Sequence, residues 1–120
     1  MAILSTHTLD SVSGNSATNV RVQLFRMIGD CKRELVLDTR TNQEGRLSKT
    51  FESGCGASKD YELIFHIGDY FGQQNLQEVN PVMDSVVIRM NVSDFERRYH
   101  IPLLISPHSY TVWWTGNPDK

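Results

Sequence analysis

The chain has 120 residues, of which 39% are hydrophobic and 22% are charged. This composition is that of a globular domain, and it excludes disordered, collagen-like and disulfide-scaffold proteins. Twelve Lys and Arg against fourteen Asp and Glu give a net charge of -2, which excludes a strong overall attraction to nucleic acid or to an anionic membrane. We therefore expect a single domain over residues 1–120 with a small-molecule partner.

The first predicted strands lie in the N-terminal half of the chain. Residues 20–27 begin with alternating apolar and polar side chains, which predicts a half-buried strand with Val20, Val22 and Leu24 facing inward. Residues 28–30 break this run, and residues 34–41 form a second β-rich run. Residues 42–45, with the sequence Asn-Gln-Glu-Gly, predict a turn that returns the chain as an antiparallel hairpin.

The second half of the chain predicts further strands at 61–67, 84–92, 100–107 and 109–115, which carry aromatic and β-branched residues. Residues 68–75 are the one place where a short helix is expected, with Asp69 as its N-cap. Pro102 marks its strand as an edge strand or as locally irregular. Short strands about ten residues apart, with almost no helix, are typical of an antiparallel β-sandwich.

The cellular compartment of the protein is predicted from its apolar segments and its cysteines. No stretch approaches the roughly 18 to 20 apolar residues of a membrane span, and the N-terminus lacks the pattern of a signal peptide, so we expect a cytoplasmic protein that does not contact the membrane. Cys31 and Cys55 both lie in turn sequences and are expected to stay reduced.

Four segments, taken in order and spacing, resemble the 5-hydroxyisourate hydrolase branch of the transthyretin-like family. They are LSTHTLD at 4–10, TNQEGR at 41–46, FHIGDYF at 65–71 and YHIPLLISP at 99–107. The resemblance implies an all-β fold: an eight-stranded antiparallel two-sheet sandwich with one short helix. It also implies a homotetramer, built as a dimer of dimers with pockets between the dimers. The implied reaction is the hydrolytic opening of a cyclic amide in urate catabolism, without metal or organic cofactor.

The same resemblance places His7, Arg46 and His100 at the family's catalytic positions. Opening a cyclic amide with water needs a base, a donor for the developing oxyanion and a proton source for the departing nitrogen. Imidazoles titrate near neutrality and serve as acid or base, while the guanidinium of Arg46 can hold a carbonyl or oxyanion. From spacing alone, a lone histidine on a strand is more often a surface or hydrogen-bonded structural residue than a catalytic one, and an arginine after a turn is usually solvated.

The remaining histidines have no such support for catalysis. His66 is interpreted as structural or half-exposed, and His108 as a residue at a pocket mouth. No pair of histidines has the spacing common in zinc sites, so we expect no metal.

The C-terminal end departs from the family pattern. The hydrolases end in Tyr-Arg-Gly-Ser, whereas this chain has Trp113, Trp114, Thr115 and Gly116. A guanidinium with paired donors is thereby replaced by an indole with one donor. We expect a re-lined substrate pocket formed by residues from this end of the chain: Trp113, Trp114, His108, Tyr110 and Thr115. Alternation predicts that Tyr110 and Trp114 share one face of their strand and that Trp113 takes the other.

Three functions remain open at this stage. The first is a cofactor-free hydrolase of the 5-hydroxyisourate type. The second is an enzyme that keeps the His and Arg pocket but acts by proton transfer on a more apolar substrate, as an isomerase, cyclase or lyase. The third is a binding protein for small hydrophobic ligands, against which the retained His7, Arg46 and His100 argue.

Overall fold

A computed structural model describes residues 1–29, 31–52, 59–74 and 82–116. Within these residues the chain forms eight strands and one helix: β1 (Ala2–Asp10), β2 (Arg21–Gly29), β3 (Lys32–Arg40), β4 (Arg46–Phe51), β5 (Asp60–Phe65), α1 (Ile67–Gln73), β6 (Val86–Asn91), β7 (Arg98–Ile105) and β8 (Tyr110–Val112). None of the described residues forms a helix long and apolar enough to cross a membrane.

The strands form two four-stranded sheets, with the orders β4-β1-β7-β8 and β3-β2-β5-β6. Neighbouring strands run antiparallel except for β1 and β7, which pair in parallel over Ile3 to Asp10. The expected eight-stranded two-sheet sandwich with one short helix is confirmed. The parallel pair joins strands from opposite ends of the chain, and this pairing has direct consequences for the site.

The inner faces of the two sheets contribute one shared core. Leu4 and Leu103 bury their side chains from the first sheet, and Leu24, Leu63 and Phe65 from the second. Val20, Val22 and Leu24 are all buried, as the alternation of residues 20–27 predicts. Each such side chain stabilises the fold by roughly 1.5–3 kcal/mol relative to an exposed one, so this core fixes which strand faces point outward.

The predicted hairpin at residues 42–45 is wrong. This turn connects β3 to β4, which belong to different sheets, and the strand that pairs with β3 is β2. The chain crosses between sheets here because Thr41 is buried and tied to the preceding loop. Its Oγ1 accepts a hydrogen bond from the backbone N–H of Val20 at 2.9 Å and donates to the carbonyl of Ala17 at 2.9 Å.

One finer prediction about the second half, the N-cap of the helix, needs correction, and another holds in only one of its two alternatives. The helix begins at Ile67 with His66 as N-cap, and Asp69 lies in its first turn. The start is earlier because Gly68, which has no Cβ, packs its backbone against Asp84, whose carbonyl accepts the Gly68 N–H at 2.8 Å. Pro102 does not mark an edge strand, since β7 lies between β1 and β8.

Pro102 does mark a local irregularity. The β7–β8 ladder pairs Leu103 with Val112, and an isolated bridge further along pairs His100 with Thr115. Between them Trp113 donates its N–H to the carbonyl of Pro102 at 3.3 Å. Proline has no N–H to return that bond, so the regular ladder is interrupted at this position.

Candidate active site

The three residues proposed as catalytic come together on the outer face of the sheet β4-β1-β7-β8. Strand register sets two neighbouring rows of side chains across this face. The first row consists of Arg46, His7 and Pro102, and the second of Ser48, Ser5, His100 and Thr115. Directly paired residues lie on the same face of a sheet, and residues two apart on one strand follow each other along it. The parallel β1–β7 pair therefore brings His7 and His100 to one place.

His7 lies between β4 and β7 and is half-buried. The backbone of Glu44, in the turn that precedes β4, lies beside its ring. Partial burial and the positive charge of Arg46 lower its pKa below the ordinary value, against smaller opposing effects from Glu44. The His7 imidazole is therefore neutral at pH 7 and able to accept a proton.

Arg46 is positioned by the turn before it. Asn42 accepts two backbone N–H groups through its Oδ1, from Glu44 at 2.8 Å and from Arg46 at 3.0 Å. Gly45 has φ +73° and donates its N–H to the carbonyl of Asn42 at 3.0 Å. The Arg46 side chain is exposed and begins β4 beside His7.

His100 is half-buried, and its Nδ1 shares a hydrogen bond of 2.8 Å with Oγ of the buried Ser5. Burial lowers its pKa below the ordinary value, and the charges of Arg46 and Arg98 lower it further. The hydroxyl fixes the ring orientation, and the pKa keeps the ring uncharged near neutrality. Two neutral imidazoles next to a permanent cation are able to move a proton between water and a substrate nitrogen.

A small cavity of about 200 Å³ opens over this cluster. It is lined by Ser5, Thr6, Asn42, Arg46, Leu47, Ser48, Arg98 and His100. Sequence reasoning missed Arg98, Ser5 and Ser48. The only available signal was position, since Arg98 lies two residues before His100 on one strand and therefore shares its face.

The residues expected from the C-terminal end separate. Thr115 is exposed and pairs with His100. Trp113 lies two residues earlier, so strand alternation places it on the same outer face, where 45% of its surface is exposed. Tyr110 pairs with the buried Ile105 at the other end of β8, and the exposed His108 lies in the β7–β8 turn. The structure therefore brings Thr115 and Trp113 toward the histidines but neither Tyr110 nor His108.

Trp114 lies away from the His and Arg cavity. Its ring stacks on Tyr99 with centroids 6.1 Å apart, and the Arg97 guanidinium lies 5.1 Å from its centre. It lines a separate cavity of about 390 Å³ together with Tyr99, Ile101 and Met90. Tyr99 and Ile101 are buried core residues, so Trp114 faces the inner side, opposite to Trp113, in agreement with the predicted alternation.

The other singled-out residues have structural positions. His66 is half-buried, with its Nε2 2.7 Å from Oε1 of Gln23, which fits the structural interpretation. Cys31 is exposed and free, while Cys55 lies outside the described residues. Over the described parts of the chain, no three His, Cys, Asp or Glu side chains form a group suited to a metal ion.

Comparison with known proteins addresses the family directly. The model of the HIUase/Transthyretin family matches residues 4–114. "5-hydroxyisourate hydrolase 2" of Rhizobium meliloti (strain 1021) is 37% identical over 112 residues, covering 92% of either chain. The 5-hydroxyisourate hydrolase of Deinococcus radiodurans is 40% identical over 111 residues, also covering 92% of either chain. The solved 5-hydroxyisourate hydrolase of Klebsiella pneumoniae superposes with a TM-score of 0.74 at 27% identity, over 96% of this chain and 99% of that one. Since the match spans nearly all of the chain, the protein belongs to the HIUase/Transthyretin family.

Proposed function

We propose that this protein is a 5-hydroxyisourate hydrolase that opens the cyclic amide of its substrate with His7, His100 and Arg46. The observation that carries the proposal is that strand pairing places His7, His100 and Arg46 next to one another on one sheet face, where Arg46 and His100 line a small cavity. Relatives that share 37% and 40% of their aligned residues with this chain and bear this name support the choice of substrate.

The reaction assigns one task to each group. One imidazole takes a proton from water while the water oxygen bonds to the amide carbonyl carbon. Arg46 stabilises the negative charge that develops on the carbonyl oxygen. The carbon–nitrogen bond then breaks, and the proton taken from water passes from the first imidazole through the second to the departing nitrogen, which leaves both rings neutral again. The products are an N–H group and a carboxylic acid, which ionises by releasing the remaining water proton to solvent.

We further propose a homotetramer in which a second dimer closes the site. The cavity is small and open, and the outer face beside it exposes apolar side chains: Trp113 is 45% exposed and Leu104 is 38% exposed. Apolar groups clustered next to a polar site are typical of a surface covered by a partner. The cytoplasmic location and the absence of nucleic-acid and membrane partners stay predictions.

One observation favours the alternative of a redirected proton-transfer enzyme. The half-exposed indole of Trp113 lies on the outer face near Thr115, and an indole there suits a flatter and less polar substrate. The retained His7, Arg46 and His100 fit both functions, and the hydrolase relatives favour hydrolysis.

The test is direct. The purified protein is mixed with freshly generated 5-hydroxyisourate, and the decay of the ultraviolet absorbance is followed against the uncatalysed decay. We expect acceleration that is lost in the His7→Asn variant. A wild-type protein that leaves the decay unchanged contradicts the proposal and favours the redirected enzyme.

A further inference from the structure

A second arginine lies in the cavity besides Arg46. Arg98 starts β7, two residues before His100, and strand alternation places both on the outer face about 6.6 Å apart along the strand. The same cavity is lined by Arg46, Arg98 and His100. Arg46 approaches from β4 and Arg98 from β7, so the two guanidinium groups enter from opposite sides of β1.

The charges of these two arginines are not balanced by nearby acids. Elsewhere Arg21 pairs with Asp38 at 2.7 Å, Arg26 with Glu34 at 2.7 Å, and Arg89 with Glu62 at 2.9 Å. Neither Arg46 nor Arg98 has a carboxylate within ion-pair distance among the described residues. A protein of net charge -2 thus places two unpaired cations on one cavity, an arrangement that suits a ligand rich in carbonyl oxygens or negative charge.

The C-terminal end lacks the arginine of the family's terminal motif, so the unpaired charge of Arg98 is a candidate replacement for it. Trp114, which replaces the arginine of the family's terminal motif, stacks on Tyr99 on the inner side of the sheet. It has one N–H donor and no charge, so it does not supply paired hydrogen bonds to a carbonyl or carboxylate.

We propose that Arg98 is a substrate-binding residue that supplies the second guanidinium of this site, in place of the one lost from the C-terminal motif. The proposal rests on the proposed function for the identity of the substrate. Arg98 binds the carbonyl oxygens of the ring on the side away from Arg46, and after ring opening it binds the carboxylate that hydrolysis creates. Because these contacts exist before and after the chemical step, Arg98 acts on affinity and Arg46 on the rate.

Three variants test this role. Arg98→Gln removes the charge, Arg98→Lys keeps a point charge without the paired donors, and Arg40→Gln removes one exposed arginine from β3 of the other sheet as a matched control. For Arg98→Gln we expect KM to rise about 10- to 100-fold with kcat changed by less than about threefold. Arg98→Lys should fall between this variant and wild type, and Arg40→Gln should match wild type.

A second measurement separates contact with the ligand from a general loss of structure. The Arg98→Gln variant should raise the pKa of His100 in an imidazole NMR titration, because a neighbouring positive charge is removed, whereas Arg40→Gln should leave it unchanged. A KM for Arg98→Gln equal to that of Arg40→Gln would overturn the proposal, and so would an unchanged His100 pKa, because Arg98 would then not lie beside the site.

Urate binding distinguishes failure of this inference from failure of the proposed function. If wild type does not hydrolyse 5-hydroxyisourate, the proposed function is wrong, and the affinity for the urate anion, measured by calorimetry, decides the role of Arg98. An affinity at least tenfold weaker in Arg98→Gln than in Arg40→Gln confirms a second binding guanidinium. Equal urate affinities of Arg98→Gln and Arg40→Gln overturn the role proposed for Arg98. If wild type neither hydrolyses 5-hydroxyisourate nor binds urate, that role is overturned as well.

Discussion

Replacing Gly45 by alanine tests whether the turn before β4 holds Arg46 in the site. Gly45 has φ +73°, and a Cβ there would lie 2.5 Å from the Thr8 carbonyl oxygen and 3.1 Å from the Ser16 side chain. The Gly45 carbonyl also accepts the Thr8 N–H at 2.7 Å, one residue from His7. The left-handed backbone costs alanine about 1–2 kcal/mol, and the steric clash adds about 1–3 kcal/mol. We expect Gly45→Ala to lower the free energy of unfolding by roughly 2–5 kcal/mol.

Two other glycines provide matched controls in urea denaturation. Gly14 has φ +82° with no described atom within 4 Å of an added Cβ, so Gly14→Ala measures the backbone effect alone and should lose about 1 kcal/mol. Gly72 lies in α1, again with no described atom within 4 Å, and Gly72→Ala should be neutral or gain up to about 1 kcal/mol. Folded Gly45→Ala protein should also turn over 5-hydroxyisourate more slowly, because Arg46 follows the turn. A loss of stability no larger than that of Gly14→Ala would refute this reasoning.

Three further outcomes are expected. His100→Asn should lower turnover about 100- to 10,000-fold while changing the free energy of unfolding by less than about 1 kcal/mol. A variant that unfolds, with normal activity in its folded fraction, would make His100 structural. The logarithm of kcat/KM should fall toward acid pH with a midpoint below 6.5, because the pKa values of His7 and His100 are lowered from that value and their neutral forms are needed. A midpoint above 6.5 contradicts this. Light scattering at micromolar concentration should return the mass of a tetramer, and a monomer mass contradicts the closed site.

The strands that the sequence predicts well are those with one buried face. In β2 the burial alternates along the strand, because one face packs in the core while the other faces outward. In β1 the inward-facing positions after Leu4 are polar, since Thr6, Thr8 and Asp10 are all buried. Hydrophobic period is the main local signal, so the sequence pattern does not predict β1.

The site is less predictable than the fold because it depends on pairing between distant parts of the chain. Ser5 and His100 are 95 residues apart in sequence and share a hydrogen bond of 2.8 Å. Nothing local to either segment specifies a parallel partner, and a shift of one residue would turn His100 to the inner face. The turn at 42–45 shows the same limit, since its sequence predicts a tight turn without specifying whether the next strand joins the same sheet.

Trp114 replaces an arginine of the family's terminal motif, but its side chain does not enter the cavity that Arg46 and His100 line. Gly116 allows the close packing of Trp114, because a Cβ at that position would lie 2.5 Å from the indole. With Tyr99 beneath the ring and Arg97 beside it, Trp114 packs at the rim of the core. The indole therefore does not take over the task of a guanidinium beside His7 and His100. If this chain still binds a carbonyl-rich ring, the missing charge has to come from another strand. Within the described residues, Arg98 is the cation besides Arg46 that lines the cavity. The second positive charge of the site therefore comes from β7, and not from the C-terminal end, where the sequence departs from the family motif.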